Sequence, residues 1–134
     1  MGVLLLMFVS NPARAYTIAD LLDAMQTVET GGCSDPAHAV GDSGRSHGWL
    51  QISKAYYDDV KAEIPDIPTY EKAVADLGWS KRIVYAYWHR YAREALQSND
   101  WETLARIHNG GPHGARKGST KAYWRRVRLE LAKK

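Results

Sequence analysis

Apolar side chains recur at helical spacing along most of the chain, and clusters of Gly, Pro, Ser and Asp punctuate the runs. Ile18, Leu21, Leu22, Met25 and Val28 fall on one face and predict a first helix. Thr17 precedes it as a cap, with Asp20 three residues on completing a variant capping box. Gly31 and Gly32 stop it. From Ser34 to Ser46 the helical period is lost. Short strands are predicted around His38-Ala39-Val40 and Trp49-Leu50-Gln51-Ile52, with Gly41-Asp42-Ser43-Gly44 as the turn. Helical spacing then resumes. Ser53 opens a helix with Tyr56, Tyr57 and Val60, which Pro65 and Pro68 break. Thr69 opens a short helix through Ala73, Val74 and Leu77, closed by Gly78. Ser80 opens the longest helix, to about Leu96, with Ile83, Val84, Tyr87, Trp88 and Tyr91 on a broad aromatic face suited to the core. Asp100 caps a helix holding Trp101, Leu104, Ala105 and His108, which Asn109-Gly110-Gly111-Pro112 ends. After a basic loop from His113 to Gly118, Thr120 opens a last helix with Tyr123, Trp124, Val127 and Leu131. The pattern predicts a mainly α (α+β) fold: a helical domain with a small antiparallel β segment.

At 134 residues the chain suits one compact domain with its own core. Residues 16–134 form that domain. The apolar run Gly2 to Val9 followed by Ala13-Arg14-Ala15 reads as a signal peptide over residues 1–15, too short to span a bilayer. That predicts an exported protein, periplasmic or secreted. Cys33 is the only cysteine, so no intrachain disulfide forms. The net charge of +3 is small. Much of the excess lies on the outer side of the last helix, in Arg125, Arg126, Arg128, Lys133 and Lys134, where a solvated face explains it. Neither nucleic-acid binding nor stable membrane insertion is expected. A mildly cationic surface suits an anionic cell wall.

Chemistry enters with two carboxylates. Glu29 lies in the last turn of the first helix, where the helix dipole and partial burial beside Val28 oppose ionisation. That setting suits a general acid; on position alone, an ordinary solvated helix-end Glu explains it as well. Asp42 follows thirteen residues later in the glycine-rich turn, where an Asx turn is the plainer account. Two acids around a groove are the equipment for cutting a glycosidic bond. The five histidines form no tight metal pattern with Cys33 or a carboxylate, and no phosphate-binding glycine loop follows a strand. No metal and no cofactor is expected.

Four blocks occur in order: Glu29-Thr30-Gly31-Gly32-Cys33, Gly48-Trp49-Leu50-Gln51-Ile52, Ala105-Arg106-Ile107-His108-Asn109-Gly110-Gly111-Pro112 and Ala122-Tyr123-Trp124-Arg125-Arg126-Val127. Together they resemble the invertebrate-type lysozymes, the family that includes destabilase, within the lysozyme-like superfamily. The resemblance covers about Thr17 to Leu131. It implies a lysozyme-like fold, with the β segment beside an active-site groove, and a monomeric bacteriolytic, antimicrobial glycosidase. Glu29 would be the general acid and Asp42 the second carboxylate. Trp49 and Gln51 would lie on a strand lining the sugar groove, with His108, Asn109 and Gly110 on a loop facing it. Tyr56 and Tyr123 would add contacts to the sugar. The turn between Asp42 and Gly48 is one residue shorter than in the family. His47 stands where a cysteine usually precedes the Gly of Gly-x-x-Gln-Ile, so the disulfide framework of animal members is absent.

The implied reaction is hydrolysis of peptidoglycan at the β-1,4 bond between N-acetylmuramic acid and N-acetylglucosamine. A lytic transglycosylase, which needs one acid and forms anhydromuramic ends, is the alternative. A non-catalytic wall-binding protein is a further one.

Overall fold

The computed structural model describes residues 14–134, so the predicted signal peptide falls almost wholly outside the described residues. Seven helices form the body: α1 (Ile18–Thr30), α2 (Lys54–Val60), α3 (Tyr70–Ala75), α4 (Leu77–Tyr91), α5 (Arg93–Ser98), α6 (Trp101–Gly110) and α7 (Lys121–Leu131). Three two-residue strands, β1 (Val40–Gly41), β2 (Ser46–His47) and β3 (Ile52–Ser53), pair antiparallel in the order β1-β2-β3. Val40 lies opposite His47 and Ser46 opposite Ser53.

Helix α1 begins as its sequence predicts. The Asp20 N–H donates to the Thr17 hydroxyl at 3.2 Å, and the Thr17 N–H donates to the Asp20 carboxylate at 2.9 Å. The helix ends at Gly31, whose N–H returns to the Thr27 carbonyl. Leu21, Leu22 and Met25 are buried, and this face packs on α7 and α6. Trp88 on α4 is fully buried, and its indole N–H donates to the Leu104 carbonyl of α6 at 2.8 Å. The ring's polar edge is thus satisfied inside the core. Each large side chain buried here contributes about 1.5–3 kcal/mol relative to exposure. The five basic residues predicted for the outer side of α7 and its end are all exposed.

Four boundaries differ from the sequence pattern. Asp76, not Ser80, caps α4: its carboxylate accepts from the Trp79 N–H at 2.7 Å, so Gly78 lies in the first turn rather than closing α3. Ser80 is fully buried, and its hydroxyl donates to the Ala73 and Val74 carbonyls at the open end of α3. The long helix breaks at Ala92 (φ −143°, ψ 37°), which puts Leu96 on α5. Alanine is the best helix former, so this break is set by packing: Ala92 and Ala95 are drawn into the core. The stretch from His113 to Gly118 contains one 3₁₀ turn and the start of a second, which ends at Thr120.

The fourth difference bears on the site. Residues 48–51 are a turn, not a strand. Gly48 is at φ +79° and Gln51 at φ +50°, and the Gln51 N–H donates to the Gly48 carbonyl at 3.1 Å. A side chain at Gly48 would collide with the Val74 carbonyl, against which the turn is pressed. The Trp49 N–H bonds that carbonyl at 3.2 Å. Leu50 is fully buried, so its apolar character marks core rather than strand.

Candidate functional site

The end of α1, the last turn of α6, one face of α2 and the β1–β2 hairpin enclose a cleft of about 420 Å³. Glu29 and Asp42 both line it, so the fold brings the two predicted acids to one space.

They reach it from unlike settings. Glu29 stands on a 13-residue helix, and its side chain keeps only 16% of its exposure. Its Oε1 lies 3.5 Å from Nε2 of His108, which is 2% exposed. The Tyr56 hydroxyl is 2.9 Å from His108 Nδ1, and Tyr56 stacks on Tyr87 with ring centroids 3.7 Å apart and planes 10° apart. Behind Glu29, the buried Tyr123 hydroxyl of α7 has no well-formed hydrogen bond. Burial pushes the Tyr123 phenol well above its usual pKa, and the neighbouring negative charge of Glu29 adds to the effect. Burial, with help from Tyr87 and Glu29, likewise keeps the Tyr56 phenol neutral. Both phenols therefore stay protonated beside Glu29.

Asp42 belongs to a thin, wet hairpin. Its side chain is 61% exposed and pairs with Arg45 at 3.2 Å. Both Asp42 (φ 50°) and Ser43 (φ 56°) adopt left-handed backbone, which Asp tolerates through local side-chain hydrogen bonding.

The other sequence candidates divide. Gln51, Tyr56, His108 and Asn109 line the cleft. Gln51 does so as a clamp: its amide N donates to the Ala39 and Gly48 carbonyls at 3.1 and 3.0 Å, tying the hairpin to the turn. Trp49 does not line the cleft. Its indole N–H donates to the Ala75 carbonyl at the end of α3, at 2.9 Å. His108 to Gly110 form the last turn of α6 rather than a loop, because the chain leaves the helix only at Gly111 (φ +86°). Gly110 faces Thr120 instead of the cleft. Tyr123 lies buried behind Glu29 and is not part of the cleft lining. Cys33 is exposed and free.

Sequence reasoning missed Ser46, Ser53, Tyr87 and Asp59 on the cleft wall. Asp59 is a third carboxylate there, and it accepts from the Tyr91 hydroxyl at 3.0 Å. Its position three residues after Tyr56 on α2 was a usable sign, since such neighbours share a helix face. The pairing of Ser46 with Ser53 depends on strand register and left no sign. Among the described residues no group of three or more His, Cys, Asp and Glu could hold a metal ion. Nor is any helix among them long and apolar enough to cross a membrane.

Comparison with known proteins adds the last observations. The Destabilase family model matches residues 19–129. Lysozyme 1 of Crassostrea virginica is 42% identical over 85 residues, which are 63% of this chain and 45% of that protein. The lysozyme of Ostrea edulis is 30% identical over 127 residues, covering 94% of this chain and 90% of that one. The crystal structure of Tapes japonica lysozyme superposes with a TM-score of 0.70 at 30% identity, over 85% of this chain and 92% of that one.

Proposed function

The chain belongs to the Destabilase family, and on that premise we infer that it acts as a lysozyme-type glycoside hydrolase on peptidoglycan. The bond cut is the β-1,4 link between N-acetylmuramic acid and N-acetylglucosamine. One observation carries the reading: a shielded carboxyl and a wet carboxylate open onto one cleft.

Glu29, screened from bulk water, gives its proton to the glycosidic oxygen. The bond to the anomeric carbon breaks, its electron pair stays on the leaving oxygen, and positive charge spreads over C1 and the ring oxygen. Asp42 meets that charge from the hairpin side, as nucleophile or by orienting water. Water then supplies the hydroxyl at C1, and its other proton restores Glu29. Asn109, exposed on the cleft wall, is placed to bond acetamido or hydroxyl groups. Tyr56 offers its ring edge. The basic outer side of α7 holds the protein near an anionic wall, an attraction that salt weakens. The protein acts as an exported monomer, without a cofactor.

The test is product analysis on purified peptidoglycan with wild type and Glu29→Gln. Reducing muramic ends that vanish in the variant are the expected result. Anhydromuramic ends would mean transglycosylation, and unchanged turnover in Glu29→Gln would remove the assignment.

A further inference from the structure

We propose that His108 is not a sugar ligand but a positioning residue, which holds the Glu29 carboxyl from behind through its Nε2–H in a tautomer fixed by Tyr56. The inference rests on the assignment of Glu29 as the acid.

The hydrogen bonds determine which ring nitrogen carries the proton. The Leu50 carbonyl, 3.0 Å from His108 Nε2, can only accept. Nε2 therefore bears the hydrogen. In a neutral ring Nδ1 is then bare, and at 2.9 Å it accepts from the Tyr56 hydroxyl. Tyr56 is fixed in turn by its stack on Tyr87, and its buried phenol stays a donor. Both ring nitrogens are thus engaged inside the protein and the side chain is 2% exposed, which leaves no nitrogen free for a sugar hydroxyl.

Glu29 Oε1 is the second acceptor facing Nε2–H, at 3.5 Å. This is longer than a good hydrogen bond, and contacts of this kind tighten in the substrate complex. The geometry also couples three segments. His108 is on α6, Leu50 on the buried turn beside the hairpin, and Tyr56 on α2. One imidazole therefore sets the distance between the helix carrying the acid and both cleft walls. When Glu29 gives up its proton, the negative charge formed already has a donor beside it, so no reorganisation is needed.

The experiment measures kcat and KM separately for His108→Phe, His108→Gln, Tyr56→Phe and Glu29→Gln, with folding checked by circular dichroism. His108→Phe keeps a ring and loses the donor. His108→Gln returns an amide N–H near the Nε2 position. Misplacing an acid by about 1 Å costs about 100-fold. The expected result is a fall of that order in kcat for His108→Phe with KM nearly unchanged. His108→Gln should recover most of the loss, and Tyr56→Phe should show a smaller fall of the same kind. A rise in KM at unchanged kcat would make His108 a substrate ligand and overturn the proposal. Equal losses in folded Phe and Gln variants would make its role merely structural, with the same consequence. Were His108→Phe not to fold, Tyr56→Phe decides, since unchanged kcat there removes the tautomer lock. An inactive Glu29→Gln beside an unaffected His108→Phe sinks this inference alone. A fully active Glu29→Gln sinks the acid assignment on which it rests.

Discussion

The two sides of the cleft are built on opposite plans. The Glu29 side is helical and closed: α1, α6 and α7 meet there, His108 lies 3.5 Å from the carboxyl, and the buried phenols of Tyr56 and Tyr123 stand close by. The Asp42 side is a hairpin of two-residue strands whose turn runs through left-handed backbone and whose carboxylate faces water and Arg45. An acid that must present a proton in one direction needs a rigid, dry mount. A carboxylate that answers a passing positive charge works from a wet one, provided the hairpin keeps its place. Gln51 and Gly48 do that anchoring, one by clamping the Ala39 and Gly48 carbonyls, the other by letting the turn press against Val74.

The contrast can be broken from either side. The largest effect is expected for Glu29→Gln, a loss of about 10³-fold in turnover, with the thermal midpoint within a few degrees of wild type. Asp42→Asn should cost less, about 10²-fold, and should leave stability unchanged because the residue is exposed. If both variants lose activity equally, the division between a shielded acid and a wet partner is wrong. An Asp42→Asn enzyme of full activity would assign the whole reaction to the helical side.

The anchoring is tested next. Gly48→Ala forces a Cβ against the Val74 carbonyl at a positive φ. Denaturant unfolding should report a loss of about 2 kcal/mol, and kcat should fall as the hairpin shifts, with both acids intact. Trp49→Phe gives the smallest effect. It removes the indole bond to Ala75, so stability should drop by about 1 kcal/mol while KM stays put. A several-fold rise in KM would return Trp49 to the sugar groove.

Helix existence was legible wherever amphipathic spacing met a cap, as at Thr17, Ser53 and Asp100, each of which accepts a backbone N–H. These are local events, complete within four residues of chain. The misplaced boundaries all turn on partners far away in sequence or on competing caps nearby. Asp76 outcompeted Ser80 because the Ser80 hydroxyl was needed to satisfy the end of α3. Ala92 broke α4 although nothing in its own chemistry breaks a helix.

Glu29 was marked by its place at a helix end. Asp42 was marked by the family resemblance, against a turn to Gly48 one residue shorter than in the family, while its glycine-rich surroundings suggested only an Asx turn. Trp49, Gln51 and His108 were placed on the groove by the family resemblance, yet their side-chain nitrogens are occupied within the protein.

By itself the sequence determined the helical architecture and the family, since these follow from periodicity, caps and short motifs, and it singled out Glu29 and Asp42 as the candidate acids. Only the tertiary structure decided which acid is shielded and which is exposed, that Asp59 joins the cleft wall, and which partners His108 meets. Each depends on atoms from segments far apart in the chain meeting within hydrogen-bonding range. Such meetings are products of packing, and no local pattern encodes them.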